Sequence, residues 1–359
     1  MRKTADAACF ELCVICYPYY PSRDTGRGHD RYVFELVQHI ETVCSDARLS
    51  LLHQGFSKGV LIAGIKLFRF IAELLFTKAD LYHTISPVGG ATATILGKTP
   101  LVVTIHDLIP FNISGYDYSW KYCFMRFCIR TSVARSAAVV VPYKVTKDEL
   151  VARFNVPEAK IHVVHYGVDH SHFFRRQVTG GSSRILYIGE VSRSKGVDVL
   201  IRAFDLVKKS ISDAELIIGG KRSKDQPLLE SLSREMGLKD VTFRGYIPEN
   251  ELPDHYSSAT VMIFPSRCGF GLSTLEAMAC GTPVIVGAVL DAPEFVADAG
   301  ILVNPDDVDE LARSIIRVLT DPELRQRLSV KAIERSKAFS WKNMADNTVE
   351  VYRTVLGEG

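Results

Sequence analysis

Short apolar runs and longer amphipathic stretches alternate along this chain of 359 residues. The opening run "CFELCVICY" reads as a strand that enters a proline-bearing loop. Behind it, "DTGRGHDRYVFELVQHIETV" carries a glycine turn and then apolar residues at helical spacing, Val33, Leu36, Val37 and Ile40. "LSLLH", "DLYHTIS", "PLVVTIH", "AAVVVPY" and "KIHVV" predict further strands, with helices over 60–76, 120–136 and 144–154, the last capped by Thr146. A polar, glycine-bearing stretch at 169–183 interrupts the alternation, which then restarts. "RILYIGE", "AELIIGG", "VTFRGYI", "VMIFPS", "PVIVG" and "GILVN" are the strands of the second series. Parallel strands need crossover helices, so the pattern predicts an α/β protein with two doubly wound, Rossmann-like domains facing a central cleft. The expected divisions are 1–170, a linker at 171–183, a second domain at 184–340, and a closing helix in 341–359 that crosses back to the first domain. In such sheets ligands bind beyond the carboxyl ends of the strands, so the residues that follow strands are the ones to weigh.

Composition narrows the classes. Net charge is +2, which gives no reason to expect nucleic acid. Residues 1–178 hold 21 Lys+Arg against 15 Asp+Glu, a charge of +6; the rest hold 22 against 26, a charge of −4. A basic first half suits an anionic membrane surface or an anionic acceptor. The eight cysteines lack the paired spacing of a zinc site and read as buried free thiols of a cytoplasmic protein, with no metal and no cofactor expected. The most apolar stretch, 59–76, is broken by Lys66, Arg69 and Glu73 and is not read as a membrane span.

Four loops could carry chemistry. "FPSRCGFGLSTLEAMACG" runs from a strand through Gly269 and Gly271 into a short helix, a design that can cradle an anion on backbone amides and the helix N-terminus. It lacks the Gly-Lys-Ser/Thr ending of a nucleoside-triphosphate loop. Ser273 and Glu276 also match a capping box, so Glu276 reads either as a cap or as an acceptor for ligand hydroxyls. "YIGEVSRSKG" sets Arg193 and Lys195 beside a strand end, which suits a diphosphate or a plain basic turn. "TIHDLIPF" places His106 directly after a strand, where it is either a site residue or a structural histidine. The fourth is the glycine turn at 26–28. Asp307 and Asp309 are set aside as a metal pair, because they sit where a helix begins.

Together these stretches resemble the family 4 retaining glycosyltransferases of GT-B fold, the group 1 glycosyltransferases, and in "VVTIHDLIPF" the mannosyltransferase-like members. The resemblance spans nearly the whole chain and is strongest over 160–174 and 184–305. It implies that Glu276 binds the ribose hydroxyls and that the backbone of Cys268, Gly269, Phe270, Gly271 and Leu272 holds the donor sugar and diphosphate. Lys195, with Arg193 and Gly189 beside it, would meet the diphosphate, Tyr246 and Ile247 the nucleobase, and His106 the transferred sugar. Gly28 would belong to a loop that closes on the donor. Two positions depart from the family pattern: Cys268 replaces the first glutamate of an E-x7-E motif, and Glu190 replaces an arginine common among members.

The expected activity is metal-independent, retaining transfer of a mannose- or glucose-type hexose from a GDP- or UDP-sugar to a glycan or lipid-linked acceptor, in surface polysaccharide or glycolipid synthesis. The helices at 60–76 and 120–135 combine aromatic residues with Lys66, Arg69, Lys121, Arg126, Arg130 and Arg135, which suits peripheral contact with an anionic inner membrane face. Cys268 and Glu190 keep an alternative open, an impaired sugar-nucleotide-binding protein or partner subunit.

Overall fold

A computed structural model describes residues 10–16, 28–44, 47–52, 60–112, 120–177, 183–268 and 271–357. The chain forms two compact units, one of Met1–Tyr166 with Trp341–Gly359, the other Gly167–Ser340.

The first unit holds strands β1 (Phe10–Ile15), β2 (Ala47–Leu52), β3 (Leu81–Thr84), β4 (Leu101–Thr104), β5 (Ala138–Val141) and β6 (Ile161–Val163). Between them run α1 (Gly28–Val43), α2 (Val60–Phe76), α3 (Pro87–Ile95), α4 (Ile109–Asn112), α5 (Trp120–Arg135) and α6 (Lys144–Phe154). All pairings are parallel, in the order β2-β1-β3-β4-β5-β6. Strands β3, β4 and β5 are buried along their whole length. A parallel sheet covered on both faces demands this, and it explains why β4 and β5 read as near-continuous apolar runs. Phe70 and Leu74 of α2, Ala93 of α3, and Ile129 and Val133 of α5 enter one core cluster with Val103 and Val139 of the sheet.

Two local readings are corrected here. Thr146 does not cap α6: Tyr143 is the N-cap residue, and Thr146 lies buried inside the helix. Helix α3 leaves little mark in "PVGGATATI", whose adjacent glycines obscure it. Ser86 caps it through Gly89 N at 3.0 Å, and Pro87 opens its first turn.

The second unit repeats the design with β7 (Arg184–Ile188), β8 (Glu215–Gly219), β9 (Val241–Gly245), β10 (Val261–Phe264), β11 (Val284–Gly287) and β12 (Ile301–Val303). Its helices are α7 (Val197–Ser210), α8 (Gln226–Glu235), α9 (Leu252–Ser258), α10 (Leu272–Ala279), α11 (Ala292–Val296), α12 (Val308–Thr320) and α13 (Pro322–Ser336). The order is β12-β11-β10-β7-β8-β9. Strand order therefore reverses between β7 and β10, and that crevice is where a doubly wound sheet accepts a ligand. Asp307 is the N-cap of α12, accepting from Glu310 N at 2.8 Å.

The last helix, α14 (Trp341–Leu356), packs on α1 in the first unit and buries Met344, Ala345, Thr348, Val349 and Tyr352. Tyr352 Oη meets His83 Nδ1 at 2.6 Å, and His83 Nε2 meets Thr104 Oγ1 at 2.8 Å. Burial pushes His83 down to about 3, so it is a neutral part of the core.

Candidate functional site

In the second unit the loops after β7 and β10 interlock at the switch point. Gly196 ends the first loop at φ 74°, and a Cβ there would lie 1.9 Å from Pro265 O. Only glycine lets the β7–α7 loop lie this close to the end of β10. Lys195 Nζ crosses the gap and donates to Cys268 O at 3.0 Å, 5.9 Å from the centre of the Phe264 ring. Ser266 Oγ donates to the same carbonyl at 2.9 Å and accepts from Cys268 N at 3.1 Å. The backbone of Cys268 is thus fixed, while its thiol lies half-buried, 3.6 Å from Ser194 O.

Arg267 ties three loops together. Its N–H donates to Ser194 O at 3.0 Å and its Nη1 to Arg193 O. Its guanidinium spans Asp198 in the first turn of α7, at 3.0 and 3.4 Å, and Asp306 beyond β12, at 2.5 Å. Arg193, by contrast, holds its place through its amide, which donates to Asp225 Oδ2 at 3.0 Å. Its side chain is 67% exposed, with Nε 3.8 Å from Asp198. The exposed cation therefore stands on an anchored backbone.

Helix α10 begins at Leu272 with Gly271 as its N-cap residue, so no side chain caps it. Ser273 lies inside the helix, and the capping box read at Ser273–Glu276 does not form at this N-terminus. Glu276 is buried, and its Oε2 accepts from Tyr256 Oη at 2.8 Å; Tyr256 is itself wholly buried. At the end of β9, Ile247 is buried against the backbone of Gly219, and Tyr246 is 55% exposed. Gly189 donates its N–H to Gly219 O at 3.0 Å, which joins the ends of β7 and β8. Glu190 is exposed, and its carbonyl accepts from Tyr187 Oη at 2.8 Å. Gly269 and Phe270 lie outside the described residues. Among the described residues no group of three His, Cys, Asp or Glu side chains could hold a metal ion.

In the first unit strand order reverses between β1 and β3, and His106 stands beside the end of β3. Its Nε2 lies 3.1 Å from Ile85 O and its Nδ1 2.6 Å from Tyr166 Oη. The ring is 7% exposed. Gly28 opens α1; the rest of the glycine turn, Gly26 and Arg27, lies outside the described residues. The structure thus joins Arg193, Lys195, Cys268, Gly271 and Leu272 around the β7/β10 crevice. Glu276 lies further along α10, Tyr246 and Ile247 at the end of β9, and His106 and Gly28 in the first unit.

Comparison with known proteins decides the family. Residues 8–172 match the family described as Glycosyltransferase Family 4, and residues 170–335 match Glycosyl transferases group 1. An uncharacterized glycosyltransferase of Methanocaldococcus jannaschii is 32% identical over 285 residues, covering 74% of this chain and 72% of that protein. The chain is a family 4, group 1 glycosyltransferase. The O-antigen chain mannosyltransferase B of Escherichia coli is 27% identical over 266 residues, 70% of each chain. The crystal structure of Anabaena HepE with UDP and glucose superimposes with a TM-score of 0.77 at 17% identity, covering 96% of this chain and 100% of that one. The glycosyltransferase has the GT-B fold.

Several residues of the site carry no signal in the sequence of this glycosyltransferase. Arg267 and Ser266 sit inside the glycine-loop stretch but find their roles only through partners on other loops. Tyr256 lies 20 residues before Glu276, and Tyr166 60 residues after His106. Glu276 and His106 stand in recognisable sequence stretches; Tyr256 and Tyr166, which bond to them, do not.

Proposed function

We propose that this glycosyltransferase moves a mannose- or glucose-type hexose from a nucleoside-diphosphate sugar to a glycan or lipid-linked acceptor, with retention of configuration and without a metal. The observation that carries the reading is the crevice between β7 and β10. There Lys195, Arg193 and the uncapped start of α10 converge where a diphosphate would sit. As the glycosidic bond breaks, the leaving diphosphate gains negative charge. Preorganised donors aimed at such charge are worth about 2.7–4 kcal/mol each. Glu276, oriented by the Tyr256 hydroxyl, would accept from the ribose hydroxyls; Tyr246 and Ile247 would border the base, and His106 would stand at the transferred sugar. UDP and glucose in HepE, and mannosyl transfer by the Escherichia coli relative, support a UDP- or GDP-hexose. Calorimetry with UDP-, GDP- and ADP-sugars tests this: saturable binding of one donor and product with the anomeric configuration of that donor, both unaffected by chelator, are expected. Donor binding without transfer to any acceptor would favour the sugar-nucleotide-binding alternative, which Cys268 motivates.

A role at the cytoplasmic membrane face, in surface polysaccharide or glycolipid synthesis, rests on α2, α3 and α5. Among the described residues of the first unit, the exposed large apolar side chains lie on these helices, including Phe68, Phe76, Trp120, Phe124 and Phe127. Trp120, Phe124 and Phe127 follow one helical face, and α5 carries Lys121, Arg126, Arg130 and Arg135 with no acid. Arg126 is engaged internally with Pro110 O at 2.7 Å, so Lys121, Arg130 and Arg135 supply the exposed charge. No helix among the described residues is long and apolar enough to cross a membrane. Co-flotation with anionic vesicles at low salt, lost in a Trp120→Ser/Phe124→Ser variant, is the expected result; absence of flotation overturns the membrane role.

A further inference from the structure

Tyr166 has no role in the donor site derived so far, yet it makes one of the shortest side-chain contacts to a proposed site residue. We propose that Tyr166 is the positioning residue for His106, fixing which ring nitrogen carries the proton; this rests on the reading of His106 as the residue at the transferred sugar.

The proton assignment follows from the partners. Ile85 O can only accept, so in the neutral ring Nε2 is the protonated nitrogen and donates at 3.1 Å. Nδ1 is then the acceptor, and the Tyr166 phenol donates to it at 2.6 Å. Turning the ring over would set a carbon against each partner and break both bonds. Other rings hold the pair in place. Tyr32 packs edge-on to His106, with centroids 4.9 Å apart, and edge-on to Tyr166 at 5.5 Å. Tyr143 packs edge-on to Tyr166 at 5.6 Å. His106 thus has one orientation and one tautomer, set by a phenol whose only replaceable polar atom is the hydroxyl. Tyr166 is also the last residue of the first unit before the chain passes to Gly167 in the second. The residue that aims His106 is therefore the one at which the chain leaves that unit.

Tyr166→Phe keeps the ring and removes the donor. Its kcat is expected to fall about 10- to 100-fold with donor KM within about twofold, the pattern of lost orientation rather than lost binding. His106→Ala is expected to fall comparably, and the double variant no further. Nitrogen-15 spectra of histidine-labelled enzyme, with His106 assigned by its absence in His106→Ala, should show the Nε2–H tautomer in the wild type and a tautomer mixture in Tyr166→Phe. An Nδ1–H tautomer in the wild-type spectrum overturns the inference even if Tyr166→Phe does not fold. So does wild-type kcat in a folded Tyr166→Phe enzyme beside an impaired His106→Ala enzyme. Wild-type kcat in His106→Ala instead overturns the reading of His106 itself.

Discussion

His106 in the first unit and Lys195 in the second are held by different means. The histidine is 7% exposed, ringed by Tyr32 and Tyr166, and bonded at both nitrogens. The lysine is half-exposed and donates to a main-chain carbonyl, and neighbouring Arg193 is a largely exposed side chain on an anchored amide. A caged ring bonded on both sides can orient a substrate. A half-exposed ammonium can leave a carbonyl for a phosphate oxygen at little cost, because the carbonyl keeps its bond from Ser266. The first arrangement suits orientation and the second neutralisation, and each can be tested where it would fail.

The largest effect should come from the ammonium. Lys195→Ala is expected to lower kcat about 100- to 1000-fold, the range for removing one group that stabilises charge in a transition state. Lys195 lies on the loop surface, so thermal unfolding should change little. A steady-state assay with the best donor checks the rate, and a loss below about tenfold would remove the neutralising role from this loop.

Arg267→Ala attacks the frame rather than the charge. Losing its bonds to Asp198, Asp306 and Arg193 O frees the β7–α7 loop from its neighbours. A loss of about 10- to 100-fold in kcat/KM is expected from misplacement of Lys195. Arg267→Lys should rescue little, because an ammonium cannot span two carboxylates as a planar guanidinium does. Equal activity of the lysine and arginine enzymes would reduce Arg267 to a surface charge.

The first unit can be broken by acid. Unfolded, His83 has the ordinary value of 6.5; folded, burial holds it near 3. Between these values the unfolded chain binds the proton and the native chain does not, so this contribution to stability is whole above 6.5 and lost as pH falls towards 3. The slope is about 1.4 kcal/mol per pH unit at most. Denaturant midpoints at pH 7 and pH 5 should show the drop, and His83→Gln, which cannot titrate, should flatten it. An unchanged slope in that variant would place the acid sensitivity elsewhere.

What the sequence shows of this molecule follows from the range of the forces involved. The strands were legible because a parallel sheet buried on both faces is mostly apolar, as "LVV" in β4 and "AVVV" in β5 are. The β7 and β10 loops were legible because glycines and cations cluster just after apolar runs. Local pattern misled where two signals overlapped: Ser273 and Glu276 have capping-box spacing, but the N-cap is Gly271, ahead of Ser273, so the box does not coincide with the helix start. Helix α3 was hidden by Gly89 and Gly90, although Ser86 and Pro87 mark its start. The hydrogen-bonded partners around the candidate site are far apart in sequence, 60 residues for Tyr166 and His106 and 69 for Arg267 and Asp198. No local periodicity carries such pairings; only the folded sheet order brings them together.

The smallest effect bears on Cys268. Position 268 meets Lys195 through its carbonyl, and the thiol contacts Ser194 O instead. The ammonium therefore has no carboxylate from this residue to compete with a diphosphate. Cys268→Glu would add an anion on the same loop. At about 4 Å in water such a charge is worth about 1 kcal/mol, roughly a fivefold change in affinity. Nucleoside-diphosphate binding should weaken by that factor at low ionic strength, and the difference should shrink in high salt as screening sets in. Transfer should fall in parallel, which would mark the cysteine as an adaptation that leaves Lys195 available. If Cys268→Glu instead raises transfer, the carboxylate's contact with the sugar outweighs its competition for the ammonium. In that case the second unit would act by orientation as well as by charge.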